Sequence, residues 1–186
     1  MTTEEIFNLL AQHMIKGLMI HSQMADYFNF LGLKGFKECH EYHYFEENTN
    51  YKRLVNYFIE HYNKLIVDLP FENPQIIPKD WFKYNRFDVN TSIRKSSIQA
   101  GFDKWIEWEQ ETKDLLQKSH EELVSLNEIA SAIEIERYIK DVDEELAGAQ
   151  ELSLNLKSRD YNMSDIMDMQ EEFYNKYKKK MKELKV

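Results

Sequence analysis

The chemistry this chain could perform is concentrated in a few acidic and imidazole side chains that recur at helical spacing. His43, Glu47 and Asn50 stand at i, i+4 and i+7, which places them on one face of a helix. Glu109 falls in the middle of a second periodic segment, Asp141 and Glu144 in a third, and His13 and His21 bracket Gly17 in a fourth. Charged groups are costly inside a helical core unless they are paired, hydrogen-bonded or bound to metal. Four helices each offer such groups on a predicted inner face, and a bound metal is one explanation of them. The bland alternative is a set of buried groups that bond one another, with His13 or His21 meeting a carboxylate and Arg137 neutralising another.

Positioning these residues requires long helices. Ile6, Leu10, His13, Gly17, Met24, Phe28 and Leu31 recur by threes and fours and predict a first helix over about 3–31, capped by Thr2 or Thr3. A second is predicted over about 36–67, through Phe36, His40, His43, Glu47, Leu54 and Leu65. All three prolines, Pro70, Pro74 and Pro78, fall in the next segment, so residues 68–95 read as a crossover with one short helical turn near 80–84. A third helix is predicted from a Ser96 or Ser97 cap to about Asn127, along Ile98, Phe102, Trp105, Glu109 and Leu116. The fourth runs over about 128–157 with Ile133, Arg137, Asp141, Glu144, Gly148 and Leu152 on its inner side. A final short helix covers about 163–184. The expected architecture is all-α: an antiparallel four-helix bundle over about 3–157, one long crossover between helices two and three, and a fifth helix, all in a single domain of 186 residues.

In this arrangement the chain resembles the ferritin superfamily, whose bundles carry a di-iron centre built from one Glu on each of two helices and Glu-x-x-His on each of the others. Glu46-Glu47-Asn48-Thr49-Asn50 resembles the second-helix segment of bacterial ferritins, with Glu47 at the bridging carboxylate and Asn50 in place of the histidine ligand. Phe102 to Gln110 resembles the segment that delivers the single third-helix Glu, here Glu109. Tyr138 to Glu145 resembles the fourth-helix acidic segment, with Asp141 and Glu144 as its carboxylates. The first-helix Glu of the family falls at Gly17 or Met14, neither of which offers a carboxylate. The resemblance thus implies a di-iron site degraded on two sides, which His21 and His43 could rebuild together with Glu47, Glu109, Asp141 and Glu144, since iron favours several carboxylate and imidazole ligands converging in one place.

Composition narrows the remaining classes. A net charge of −9 argues against nucleic-acid capture by the whole surface, although residues 176–186 hold six Lys and one Glu. That run reads as a solvated helix end favouring the helix dipole. The single Cys39 excludes an internal disulfide and reads as a small buried group, and with no apolar run long enough for a spanning helix or signal, a cytoplasmic protein is expected. His40, His61 and His120 read as surface or seam histidines, and the cluster of Trp81, Phe82, Tyr84 and Phe87 as a loop anchor. Glycine-rich phosphate loops, Gly-x-Ser-x-Gly and His-Glu-x-x-His are absent from the sequence, which leaves the metal site as the one enzymatic reading. Two functions follow. The first is a ferritin-like protein with a degenerate di-iron site, non-enzymatic and acting through homo-oligomeric assembly or a partner. The alternative is an iron-binding or iron-storage, ferroxidase-like protein with a rearranged site. The cofactor is accordingly none or iron, and DNA protection is a third and weaker reading.

Overall fold

The computed structural model describes residues 1–66, 85 and 88–184. Five α-helices follow one another: α1 (Thr3–Phe30), α2 (Lys34–Tyr62), α3 (Thr91–Ser125), α4 (Ile129–Ser158) and α5 (Met163–Leu184). The fold is all-α, and no helix among the described residues is long and apolar enough to cross a membrane.

Local chemistry sets the boundaries. The Thr2 hydroxyl accepts a hydrogen bond from the Glu5 N–H, while the Glu5 carboxylate accepts one from the Thr2 N–H, closing a capping box on α1. Gly32, at φ 78°, turns the chain into α2. That helix stops at Tyr62, five residues short of the expected end, because Asn63 adopts the left-handed conformation that terminates helices. Consequently Leu65, expected on the inner stripe, is exposed. Helix α3 begins at Thr91 rather than at a Ser96 or Ser97 cap. Asn90 caps it by accepting from the Ile93 N–H, and the Ser96 and Ser97 hydroxyls donate to carbonyls within its first turns. The helical turn expected near 80–84 and the aromatic cluster from Trp81 to Phe87 lie outside the described residues.

α1 packs along α2 and α3 along α4, and α1 also meets α3. Two buried clusters divide the interior. At one end Ile6, Phe7, Leu10, Leu54, Phe58, Leu123 and Ile135 close against one another. At the other, Phe28, Leu31, Phe36, Ile98, Phe102, Leu156 and Ile166 do the same. Helix α2 therefore ends at the first end of the bundle, and α3 begins at the second. Helix α5 lies alongside α2 in the same direction, since Phe36 meets Phe173 and Tyr42 meets Tyr177. Gly35 permits this approach: a Cβ there would overlap the Gln170 carbonyl. Between the two apolar clusters lies a layer of titratable groups.

Helix α4 presents a different face from the one its sequence suggests. Ile135, Tyr138, Val142, Leu146, Ala149 and Leu156 are buried, whereas Ile133 is exposed. The apolar stripe through Ile135, Tyr138 and Val142 carries more buried bulk than the one through Ile133, Arg137 and Asp141, and the helix rotates to satisfy it. This rotation decides which carboxylates reach the interior.

Candidate metal centre

His43 projects from α2 into the titratable layer and is buried. Its Nδ1 lies 3.3 Å from a Glu46 carboxylate oxygen and 3.3 Å from one of Glu145 on α4. One ligand atom from each of the three residues falls within 4.8 Å of the others. Two atoms each about 2.1 Å from a shared ion are separated by about 3–4 Å, so the spacing suits a cation held by one imidazole and two carboxylates. The two carboxylates are partly buried and lean on different supports. Glu46 accepts a hydrogen bond from the Tyr42 hydroxyl at 2.8 Å. Burial raises its pKa, but the contacts with His43 and Tyr42 outweigh burial and leave it below the usual range.

Two further carboxylates border this group. Glu47 is pushed up to about 8, first by burial and then by the charge of Glu145. Glu109 is buried at the centre of α3, accepts a hydrogen bond from the Trp105 Nε1–H at 3.0 Å, and lies 3.7 Å from His21 Nε2. Its pKa is held well above the carboxylate range by burial and by Glu145, against the opposing effect of His43. Burial works against a charged His43 ring, but Glu145 and Cys39 outweigh it and hold its pKa well above the imidazole range.

His13, His21 and His40 are held in their neutral form by burial. His21 and His40 approach through their Nδ1 atoms at 3.2 Å. Burial, then the charge of His43, drives His21 down to about 3, and burial together with His21 and His43 keeps His40 well below its ordinary value. His40 was expected on a surface or seam; it is instead fully buried, stacked on Phe28 with the rings 2° from parallel and edge-on to Trp105. His13 lies on Trp108 and shares a 2.8 Å hydrogen bond with the Thr112 hydroxyl, and burial lowers it to about 3.

Carboxyl groups, buried or partly buried, thus outnumber positive charge in this layer. Among the described residues, the carboxyl groups of Glu46, Glu47, Glu109 and Glu145 surround one cationic ring, that of His43. The Nε2 atoms of His21 and His43 are buried without a hydrogen-bond partner. A small cavity of about 20 Å³, room for one water-sized sphere, opens beside His43, Glu46, Glu47, Asn50, Asp141 and Glu145. These features fit a divalent cation. A positive ion in the layer would stabilise the ionised carboxylates and take the place of a proton on the His43 Nδ1, which is likewise buried without a hydrogen-bond partner.

The helices superpose on an open-pore ferritin from the hyperthermophilic archaeon Archaeoglobus fulgidus with a TM-score of 0.73 and 17% identity, over 92% of this chain and 95% of that one. An engineered closed form of the Archaeoglobus fulgidus ferritin gives a TM-score of 0.73 and 17% identity over 92% and 94%. A variant of PmFTN soaked in iron gives a TM-score of 0.71 and 11% identity over 90% and 96%. The fold is ferritin-like. At these identities the likeness is one of fold; no protein-family model matches the sequence, and no curated protein does.

Within the ferritin-like bundle, His21, His43, Glu47 and Glu109 gather in the titratable layer. Asp141 stands exposed at its rim, its pKa raised by partial burial and by Glu145, Glu46 and Glu144. Glu144 points outward, its side chain 74% exposed beside Lys140. The α4 carboxylate that meets His43 is Glu145, as the rotation of that helix requires. Arg137, expected to neutralise a core carboxylate, pairs with Glu134 at the surface. On α1, Gly17 lies against Glu47. A Cβ there would approach the Glu47 carboxyl carbon at 3.2 Å and Trp108 at 3.0 Å, so the missing side chain leaves the room that Glu47 and Trp108 fill. Glu46 and Glu145 were legible only as neighbours of the residues singled out; their signal is the i, i+3 step from His43 to Glu46 and the 138–142–145–149 spacing on α4.

Proposed function

We propose that this chain is an iron-binding, iron-storing ferritin-like protein whose metal centre has been rebuilt around His43, Glu46 and Glu145, with Glu47 and Glu109 as flanking carboxylates. The observation that carries the reading is the approach of two carboxylates to a single buried imidazole at 3.3 Å in a layer where carboxyl groups outnumber positive charge. The ferritin likeness supports iron as the cargo, and the iron-soaked PmFTN variant is a structural relative in which iron was supplied directly. The reading in which the bundle acts through assembly alone, with no metal, finds no such support.

The donor set is one nitrogen and several hard oxygens, a chemistry suited to iron and also open to zinc or manganese. In the metal-free protein Glu47 is largely protonated at neutral pH and His43 is held as a cation, so binding a metal at His43 would release the proton of its Nδ1 as well as that of Glu47. Glu109, held by Trp105, would keep its orientation while the charge around it changes. Self-association into a homo-oligomer belongs to the same reading. Exposed Tyr44, Phe45, Ile129, Ile133 and Leu154 are among the large apolar groups open to contacts between copies.

Anaerobic loading with Fe(II), desalting and iron quantification test the proposal. Wild-type protein should retain iron, Glu145→Gln should retain at least about tenfold less, and Glu144→Gln should behave as wild type. Equal retention by wild type and Glu145→Gln would overturn it.

A further inference from the structure

A second and larger cavity, about 280 Å³, opens on the other side of the titratable layer, between α4 and α5 and over Trp105 of α3. Its two walls differ in character. One is apolar, formed by Trp105, Ala149, Leu152, Phe173 and the ring of Tyr177. The other carries Glu46, Asp141, Glu144 and Glu145. Two ammonium groups from α5 stand at the cavity, and aromatic rings fix where they sit. Lys176 lies 5.1 Å from the Tyr177 ring centre, and Lys180 lies 4.6 Å from that of Tyr42 and 5.5 Å from that of Tyr177. Nearby lysines are spoken for, since Lys178 pairs with Glu38 and Lys37 with Glu41. Lys176 and Lys180 form no ion pair among the described residues, although Lys180 is near enough to Glu46 to lower its pKa. Gly148 lines this space, and a Cβ built there meets nothing within 4 Å.

We propose that this cavity binds a small organic acid with one anionic group and an apolar body. The carboxylate is held between Lys176 and Lys180, and the body lies on Trp105, Leu152 and Phe173. The volume is close to the lower end of the range for small-molecule sites, and the mixture of a broad apolar wall with a few placed charges is what such sites share. A free inorganic anion would leave the apolar wall wet. The inference goes beyond the proposed iron centre and does not require it, although the cavity shares His43, Glu46 and Glu145 with that centre.

Phenylacetate serves as the probe and benzylamine, of similar shape and opposite charge, as its control, each titrated calorimetrically into the full chain. Phenylacetate should bind saturably at one per chain with a dissociation constant of about 1 mM or lower. Gly148→Leu, which fills the cavity without meeting a neighbour at its Cβ, should weaken binding at least about tenfold, as should the double variant Lys176→Gln, Lys180→Gln. Both are checked for folding by circular dichroism and for an intact metal centre by zinc titration. Three results would overturn the inference: no saturable binding up to about 10 mM phenylacetate, binding unchanged in both folded variants, or benzylamine binding as tightly as phenylacetate. Wild-type protein that binds phenylacetate as described but takes up no zinc would uphold the cavity and count against the metal centre alone.

Discussion

Two neighbouring stretches of one bundle interior obey opposite rules. At the end lined by Ile6, Phe7, Leu10, Leu54, Phe58 and Leu123, every large side chain is apolar and fully covered. A few helical turns away, His21, His40, His43 and Glu109 are equally covered but titratable. The first stretch is stabilised by burial, about 1.5–3 kcal/mol for each large apolar side chain removed from water. The second gives up part of that stability, because ionisable groups are being held in states they would not adopt in water. The difference shows where the fold is secured and where it keeps a function. A site that strains its own protonation equilibria is one that a ligand of the right charge can relieve.

Substitutions should separate the two stretches. Phe58→Ala, in the apolar end, should cost about 3–5 kcal/mol in chemical denaturation and leave metal affinity per folded molecule unchanged. A loss of metal affinity comparable with Glu145→Gln would erase the distinction. Glu47→Gln should do the reverse. Because the folded-state pKa of Glu47 is raised from 4.5 to about 8, the metal-free protein loses stability as pH rises from about 4.5 through about 8. Glutamine mimics the protonated form, so the variant should be more stable than wild type at pH 8 by about 1–3 kcal/mol, allowing for solvent screening, and should bind metal less well. Lower stability of the metal-free variant at pH 8 would contradict the account.

Histidines act on the opposite limb. The folded-state pKa values of His13 and His21 are lowered from 6.5 to about 3, so their contribution is present above pH 6.5 and is lost as pH falls from there toward 3. Metal-free protein should therefore have its greatest stability in a band near pH 5–7. Adding a divalent cation should extend that band upward in pH and leave the acid limb in place; thermal unfolding across pH with and without zinc measures both. An unchanged alkaline limb would separate the cation from the buried carboxylates. The smallest effect is expected at the surface, where Glu144→Gln removes a weak pairing with Lys140 and should change stability by less than about 0.5 kcal/mol.

Much of this comparison could be read from residue spacing. The helix order, the Thr2 cap and the polar interruption of α2 at His43 and Glu47 follow from local chemistry, and local chemistry is what a sequence displays. Glu145 was not readable in the same way. Neighbouring residues on a helix point about 100° apart, and α4 carries two overlapping stripes, one through Ile133 and Leu152 and one through Ile135, Tyr138, Val142 and Leu146. Only packing against the other helices chooses between them. The burial of His40 depends on Phe28 and Trp105, which come from two other helices. The course of α5 along α2 rests on close approach at Gly35, a contact between segments far apart in sequence.

The central claim is that a cation is held where His43, Glu46 and Glu145 converge, and an anomalous-difference map of crystals soaked anaerobically in Fe(II) tests it most directly. The account predicts an iron peak within about 2.0–2.3 Å of His43 Nδ1 and of oxygens from Glu46 and Glu145. Iron bound only on the outer face of α4, at Asp141 and Glu144, or no peak inside the bundle, would contradict it.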